Sequence, residues 1–200
     1  MDKSRALALR DVLAGTGWVE RTRSLGRALR RAPHDVGGLL VVGTPTEDPW
    51  HFAAHLDDEA RWSQLPTLTP TLVRWAPPPN APAHLAIGLE RLEQVRRNET
   101  VFVVAPEDPT ASLLERVADA RKIGATVFAM DAGDTELESL AHESLVVPTT
   151  PAEGLIVPEF DLVTHLVSTA AGEDDAMPKT RLAAMRSRLA RLLDAVGDSD

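Results

Sequence analysis

Three short apolar runs decide the fold of this chain: GLLVVG at residues 38–43, TVFVVA at residues 100–105 and ATVFAMD at residues 125–131. Each run has the length of a strand and is rich in the β-branched and aromatic residues that strands favour. Because none of the three alternates with polar residues, each is expected to be buried on both faces. Such strands are typical of a parallel sheet that is covered by helices on both sides.

The segments between these runs carry helical patterns, and two weaker strands complete the set. Helices are predicted over residues 49–62, 84–98, 109–123, 135–142 and 160–171, and the weaker strands over residues 71–75 and 144–148. Strands that alternate with helices imply right-handed crossovers between parallel neighbours. We therefore predict an α/β fold, a three-layer αβα sandwich around a five-stranded parallel sheet of flavodoxin-like order 2-1-3-4-5.

The two ends of the chain are predicted to be helical additions to a single domain that spans residues 1–200. Residues 1–31 form N-terminal helices, residues 38–171 form the α/β core, and residues 179–197 form a C-terminal helix. Leu189, Leu192 and Val196 lie on one apolar face of that last helix. A lone helix gains little stability without packing such a face, so we expect a homodimer or homotetramer.

Composition excludes several classes of protein. The 200 residues are 44% hydrophobic and 26% charged and include no cysteine, which excludes disulfide frameworks, thiolate metal sites and cysteine nucleophiles. The sequence contains no apolar run of about 18 residues, the length of a transmembrane helix. It also begins without the apolar segment of a secretory signal. We therefore predict a cytoplasmic protein with no membrane partner.

Charge is distributed unevenly along the sequence. Residues 1–31 carry 8 basic and 3 acidic side chains, whereas residues 32–178 carry 8 basic and 24 acidic ones. Nucleic-acid phosphates require a basic surface, so this acidic middle argues against a nucleic-acid partner. The basic ends are best explained as amphipathic helices with solvated charged faces, and a contact with an anionic partner is the alternative.

Ligands of open parallel sheets bind beyond the carboxyl ends of the strands. Here that rule selects the loops at residues 43–48, 105–109 and 131–135. The sequence lacks the phosphate-binding Gly-x-x-x-x-Gly-Lys-Ser/Thr motif, the Gly-x-Gly-x-x-Gly dinucleotide motif and the Gly-x-Ser-x-Gly elbow of hydrolases. The usual nucleotide and hydrolase chemistries are therefore not indicated.

Two stretches resemble the sugar isomerase (SIS) domain family. The stretch from residue 99 to residue 148, which contains IGATVFAMD and ESLAHESLVVP, is similar to the second half of that domain. The run WHFAAHL at residues 50–56 is similar to the first helix of its phosphoheptose isomerase branch. The resemblance covers about residues 18–171 and implies a five-stranded α/β sandwich that forms a close homodimer or a dimer of dimers.

The phosphate-binding loops of that family are not present. Members resemble one another in a Gly-x-Gly-x-Ser loop after the first strand and a Ser-x-Ser-Gly-x-Ser/Thr loop after the third. Here the loops read GTPTEDP at residues 43–49 and APEDPT at residues 105–110. Both end in Glu-Asp-Pro, which predicts that Asp48 and Asp108 cap the following helices and that proline takes the first helical position. Phosphate binding is therefore disfavoured.

These loops nevertheless supply candidate ligand-binding residues. Their carboxylates would form an acidic mouth for a metal, an amine or a neutral sugar, and their hydroxyls could hold a sugar; the alternative is that the acids only cap helices. The candidates are Thr44, Thr46, Glu47, Glu107, Asp108, Thr110 and Ser112.

Three histidines are the candidates for catalysis or metal binding. His51 and His55 are four residues apart on a predicted helix, with about 6 Å between their Cβ atoms, and such a pair can chelate zinc. In the phosphoheptose isomerase pattern the first position is also histidine, and His55 replaces the glutamate that abstracts a proton. His165 matches the histidine of a Gln-Glu-x-His-Leu run whose Gln and Glu are here Leu162 and Val163. We therefore consider a zinc site at His51, His55 and His165, with packed or surface histidines as the alternative and no cofactor established.

The sequence thus leaves two functions open. The first is a regulatory or binding module that takes a sugar or a carbohydrate derivative without phosphosugar isomerase activity. The second is a sugar or phosphosugar isomerase, with or without a metal, that uses His55 as the base. Isomerisation also requires a group that polarises the carbonyl oxygen, and the sequence offers no second residue for that role.

Overall fold

The computed structural model describes residues 16–82, 85–149 and 157–173. The predicted helices at residues 4–14 and 179–197 lie outside these ranges. The described elements follow in chain order: α1 (Trp18–Arg31), β1 (Leu39–Val42), α2 (Trp50–Trp62), a 3₁₀ turn (Pro66–Leu68), β2 (Pro70–Val73), α3 (Glu90–Glu93), β3 (Thr100–Ala105), α4 (Ala111–Ile123), β4 (Thr126–Asp131), α5 (Thr135–Leu140), β5 (Glu143–Val146) and α6 (Phe160–Gly172).

The strands form one parallel sheet in the order β2-β1-β3-β4-β5. This is the order predicted from the alternation of apolar runs and helices, and the α/β sandwich is confirmed. Every residue of β1 and β3 is buried, as expected for strands covered on both faces. Leu39 pairs with Pro70 on one side and with Thr100 on the other, so the sheet order reverses direction at β1.

Helices cover the sheet on both faces, and each face has its own apolar core. Helices α1, α2 and α6 pack on one face, where Phe102 and Phe128 stack with ring centroids 5.9 Å apart. Helices α3, α4 and α5 pack on the other face, around Leu113 and Val117. Alternate residues of each strand face opposite cores, since successive side chains of a strand point to opposite sides. No helix within the described ranges is long and apolar enough to cross a membrane.

The predicted helix over residues 84–98 is wrong for most of its length. Only Glu90–Glu93 is helical. Gly88 instead forms a parallel bridge with Arg74, and the Arg74 amide donates to the Ile87 carbonyl. The chain before Glu90 therefore extends the edge of the sheet beyond β2. The spacing of leucines favoured a helix, but the chain instead pairs with the residue after β2 through the bridge between Gly88 and Arg74.

Candidate functional site

The candidate site lies where the sheet order reverses, between the carboxyl ends of β1 and β3. The loop after β1 covers residues 43–49, and the loop after β3 covers residues 106–110. Because β1 and β3 are hydrogen-bonded neighbours, these loops meet at one edge of the sheet. This is the position at which open α/β sheets bind their ligands, as the sequence predicted.

Thr44 joins the two loops. Its side chain is only 2% exposed, and its hydroxyl donates to Glu107 Oε1 at 3.2 Å. Thr44 Oγ1 also accepts from the Glu47 amide at 3.2 Å and lies 3.3 Å from the Thr46 hydroxyl. The predicted residues Thr44, Thr46, Glu47 and Glu107 are therefore brought together, and the Glu47 amide already has an acceptor within the protein.

Gly43 and Trp75 fix the path of the first loop. A Cβ atom at Gly43 would overlap the Glu47 carbonyl oxygen and lie 2.7 Å from Pro49 Cδ. A glycine is therefore required where the loop folds back on itself. The Trp75 indole Nε1 donates to the Gly43 carbonyl at 2.7 Å. Trp75 was not predicted as a site residue, although the parallel order places the end of β2 beside this loop.

The predicted capping role of Asp48 is wrong. Helix α2 begins at Trp50, and the residue at its N-cap position is Pro49, with no side-chain cap. The Asp48 carboxylate instead forms an ion pair with the Arg74 guanidinium. Because Pro49 occupies the N-cap position, Asp48 lies one residue before the cap, and its carboxylate pairs with Arg74. Arg74 directly follows β2 and reaches the loop within one chain.

Asp108 does not cap its helix either. The N-cap of α4 is Thr110, whose Oγ1 accepts from the Leu113 amide at 3.4 Å. Ser112 Oγ lies 3.2 Å from the same hydroxyl, and Asp108 is exposed. Pro109 therefore precedes the cap and does not occupy the first helical position. Threonine is itself a favoured N-cap. Of the two candidates, Asp108 and Thr110, it is Thr110 that caps the helix.

Negative charge accumulates on the first loop. Burial raises the pKa of Glu47, and the carboxylates of Asp161, Asp48 and Glu107 raise it further, while His51 opposes them. Asp161 lies in the first turn of α6 and was not predicted as a site residue. No signal in the sequence connects Asp161 with residues 43–49, because the contact depends on how α6 packs beside α2.

Two of the three candidate histidines come together. The rings of His55 on α2 and His165 on α6 make an edge-to-face contact with centroids 4.5 Å apart. Burial lowers the pKa of His55, and burial together with His55 lowers the pKa of His165 to about 4. His51 is exposed and contacts the ring of Trp50 at 3.5 Å. Both paired imidazoles are therefore neutral at pH 7.

The predicted zinc site is not assembled. Within residues 16–82, 85–149 and 157–173, no three His, Asp or Glu side chains are placed to hold a metal ion. The His55–His165 contact supplies at most two nitrogen ligands, whereas zinc sites in proteins use three or four protein ligands. Zinc binding by His51, His55 and His165 stays a prediction.

The third predicted loop, at residues 131–135, is stabilised by hydrogen bonds within its own turn. Asp131 is fully buried, and its Oδ1 accepts from the amides of Gly133 and Asp134 at 2.7 and 2.9 Å. Burial raises the pKa of Asp131. Asp134 caps α5 by accepting from the Leu137 amide at 2.7 Å. These acids are committed to backbone donors of the turn.

Comparison with known proteins supports the fold. No protein-family model matches the sequence, and no curated protein resembles it significantly. Among solved structures, the sugar isomerase domain of the RpiR transcription factor from Sphaerobacter thermophilus is similar, with a TM-score of 0.52 at 13% identity over 97% of this chain and 99% of that chain. The chain has a sugar isomerase fold.

Two further structures, both from Salmonella typhimurium LT2, are less similar. A protein thought to bind sugars gives a TM-score of 0.49 at 15% identity, over 84% of this chain and 51% of that chain. A protein thought to be a phosphosugar isomerase gives a TM-score of 0.49 at 11% identity, over 81% and 46% of the two chains. The resemblance to the phosphoheptose isomerase branch stays a prediction.

Proposed function

We propose that the crevice between the loops after β1 and β3 binds an uncharged sugar or carbohydrate derivative, and that the protein is a binding or regulatory module. The observation that carries this proposal is the Thr44 hydroxyl, which is buried between the loops and bonded to both Glu107 and the Glu47 amide. Carboxylates and hydroxyls at a concave site are suitable partners for sugar hydroxyls.

The charges of the same loops argue against a phosphorylated ligand. Residues 43–49 and 105–110 contain Glu47, Asp48, Glu107 and Asp108 but no lysine or arginine. The helix N-termini that would face a phosphate follow these acids. Two like charges near a protein surface repel by about 4 kcal/mol at 4 Å and an effective dielectric of 20. A phosphate dianion would meet that repulsion without a free cation in either loop.

A regulatory role has support from the fold alone. The structure that covers nearly the whole chain is the sugar isomerase domain of a transcription factor, which is one protein in which such a domain is part of a regulator. We propose the same kind of role here: ligand occupancy of the crevice is read by another protein or domain. No chemical step is required of the residues in the loops.

Calorimetric titration tests the ligand class. Wild-type protein is titrated at low salt with neutral hexoses, N-acetylated and amino sugars, and hexose and heptose phosphates. We expect binding of an unphosphorylated sugar, and weaker binding in Thr46→Val, because Thr46 is exposed beside Thr44. The matched control Thr135→Val is exposed at the start of α5 and should bind as wild type does. A phosphosugar dissociation constant below about 100 μM would contradict the proposal.

A second candidate, an isomerase that uses His55 as the base, has one observation in its favour. Burial lowers the pKa of His55, so the imidazole is unprotonated near pH 7 and able to accept a proton. Exchange of the sugar C2 proton in deuterated water, followed by NMR, distinguishes the two functions. Exchange with wild type that disappears in His55→Gln would establish the enzyme, whereas the binding module gives none.

A further inference from the structure

Arg74 brings a positive charge to the mouth of the candidate site from outside both loops. It directly follows β2, and its position in the sheet is set by the bridge to Gly88. Its side chain is 19% exposed, and its guanidinium is paired with the Asp48 carboxylate. The Nε atom of Arg74 is buried and has no hydrogen-bond partner among the described residues, so Asp48 satisfies this guanidinium only in part.

In the described structure, the Asp48 carboxylate has no role other than its ion pair with Arg74. Helix α2 has no side-chain cap, and Asp48 contacts it only through its backbone carbonyl, which accepts from the Trp50 amide at 2.8 Å. The Asp48 side chain is 40% exposed. Its carboxylate therefore lies at the surface of the loop after β1, paired with the Arg74 guanidinium.

We propose that Asp48 determines the charge class of the ligand by occupying Arg74 in place of a ligand phosphate or carboxylate. The inference rests on the proposed function of the same crevice. A guanidinium binds carboxylates and phosphates through the same fork of N–H donors. Asp48 is tethered beside Arg74, so an anionic sugar must displace an intramolecular competitor that is present at high effective concentration.

The loop does not depend on the ion pair for its shape. Trp75 holds the Gly43 carbonyl, and Thr44 holds the Glu47 amide and the Glu107 carboxylate. Neither set of contacts involves the Asp48 side chain, so we expect both to remain when Asp48 is replaced. Removing the carboxylate therefore leaves Arg74 unpaired beside a loop that keeps its place, which is the arrangement an anionic group requires.

The test measures the binding of inorganic phosphate and of glucose 6-phosphate by calorimetry at one fixed low ionic strength. Asp48→Asn removes the charge and keeps the side-chain size. We expect Asp48→Asn to bind glucose 6-phosphate about tenfold or more tightly than wild type. The double variant Asp48→Asn/Arg74→Gln should lose that gain. Asp35→Asn removes one negative charge from an exposed position before β1, at the opposite end of that strand from the two loops, and it should leave the affinity unchanged.

Three outcomes would overturn the inference. The first is no gain in Asp48→Asn or in a second variant, Asp48→Ser, when circular dichroism shows that either is folded. The second is an equal gain in Asp35→Asn, which would reduce the effect to net charge. The third is a gain that persists without Arg74. Wild type is titrated with neutral sugars in parallel. If no neutral sugar binds, the proposed function fails, but the phosphate titrations of the Asp48 variants still test the inference.

Discussion

His165 lies between α6 and α2 with most of its imidazole removed from water. Burial and the neighbouring ring of His55 lower its pKa to about 4, whereas an unfolded chain protonates histidine near its ordinary pKa of about 6.5. Below that pH the unfolded state binds a proton that the folded state does not. The free energy of unfolding must therefore decrease as the pH falls from about 6.5 towards about 4.

We predict that His165→Gln flattens this part of the stability profile. The contribution of His165 is at most about 3 kcal/mol, from the difference between the two pKa values. Urea unfolding at pH 7, 6, 5 and 4.5 measures it for wild type and variant. The exposed His34→Gln serves as control and should keep the wild-type profile. Identical slopes for wild type and His165→Gln would contradict the assigned burial of this imidazole.

The N-terminus of α4 is an element whose cap the structure reassigns. Thr110 accepts from the Leu113 amide, and Asp108 is exposed two residues earlier. We predict that Thr110→Ala lowers the free energy of unfolding by about 1 kcal/mol, the usual effect of losing an N-cap. Asp108→Ala should change it by less than about 0.5 kcal/mol. Chemical denaturation of both variants tests this prediction. A larger loss of stability in Asp108→Ala than in Thr110→Ala would show that Asp108 is the cap, as the sequence predicted.

The crossing of α1 and α6 depends on the absence of a side chain at Gly26. A Cβ atom there would lie 2.6 Å from Ala170 Cβ and 2.7 Å from the Val167 carbonyl oxygen. On an exposed helix, replacing glycine by alanine stabilises by about 1 kcal/mol. Here we predict the opposite sign, because the two helices must move apart. Overpacking of this kind lowers stability by about 1–3 kcal/mol.

Thermal and urea unfolding of Gly26→Ala test this prediction. The matched control is Ser24→Ala, at an exposed position of the same helix, where stability should stay within about 0.5 kcal/mol of wild type. A stabilised Gly26→Ala would show that α1 and α6 do not approach as closely as the structure describes.

For the whole molecule, the expectation of a homodimer or homotetramer stays a prediction. It depends on Leu189, Leu192 and Val196 of the predicted helix at residues 179–197, which lies outside the described residues. Light scattering at micromolar concentration should give at least twice the mass of one chain. Replacement of Leu189 and Leu192 by glutamate should lower that mass to one chain, because charges cannot be buried at an apolar interface without a partner. A monomeric wild type would contradict the prediction.

Much of the architecture follows from the sequence alone. The bounds of β3 match the predicted residues 100–105, and Gly124 ends α4 with a φ of 103°. These features depend on interactions between residues that are close in the sequence. Apolar runs predict strands, a glycine allows the left-handed turn that ends a helix, and the alternation of strands with helices predicts the parallel order. The location of the candidate site at the reversal of that order follows in turn.

Only the tertiary structure decided which side chains meet. Asp48 pairs with Arg74, Thr44 reaches Glu107, and His55 meets His165, across separations of 26, 63 and 110 residues in the sequence. Local rules assigned Asp48 to a helix cap because they compare a residue only with its near neighbours. An ion pair with a distant strand end lies outside that comparison. The sequence therefore determined where the candidate site lies, and packing of β2, α2 and α6 determined which of its charges are paired within the protein.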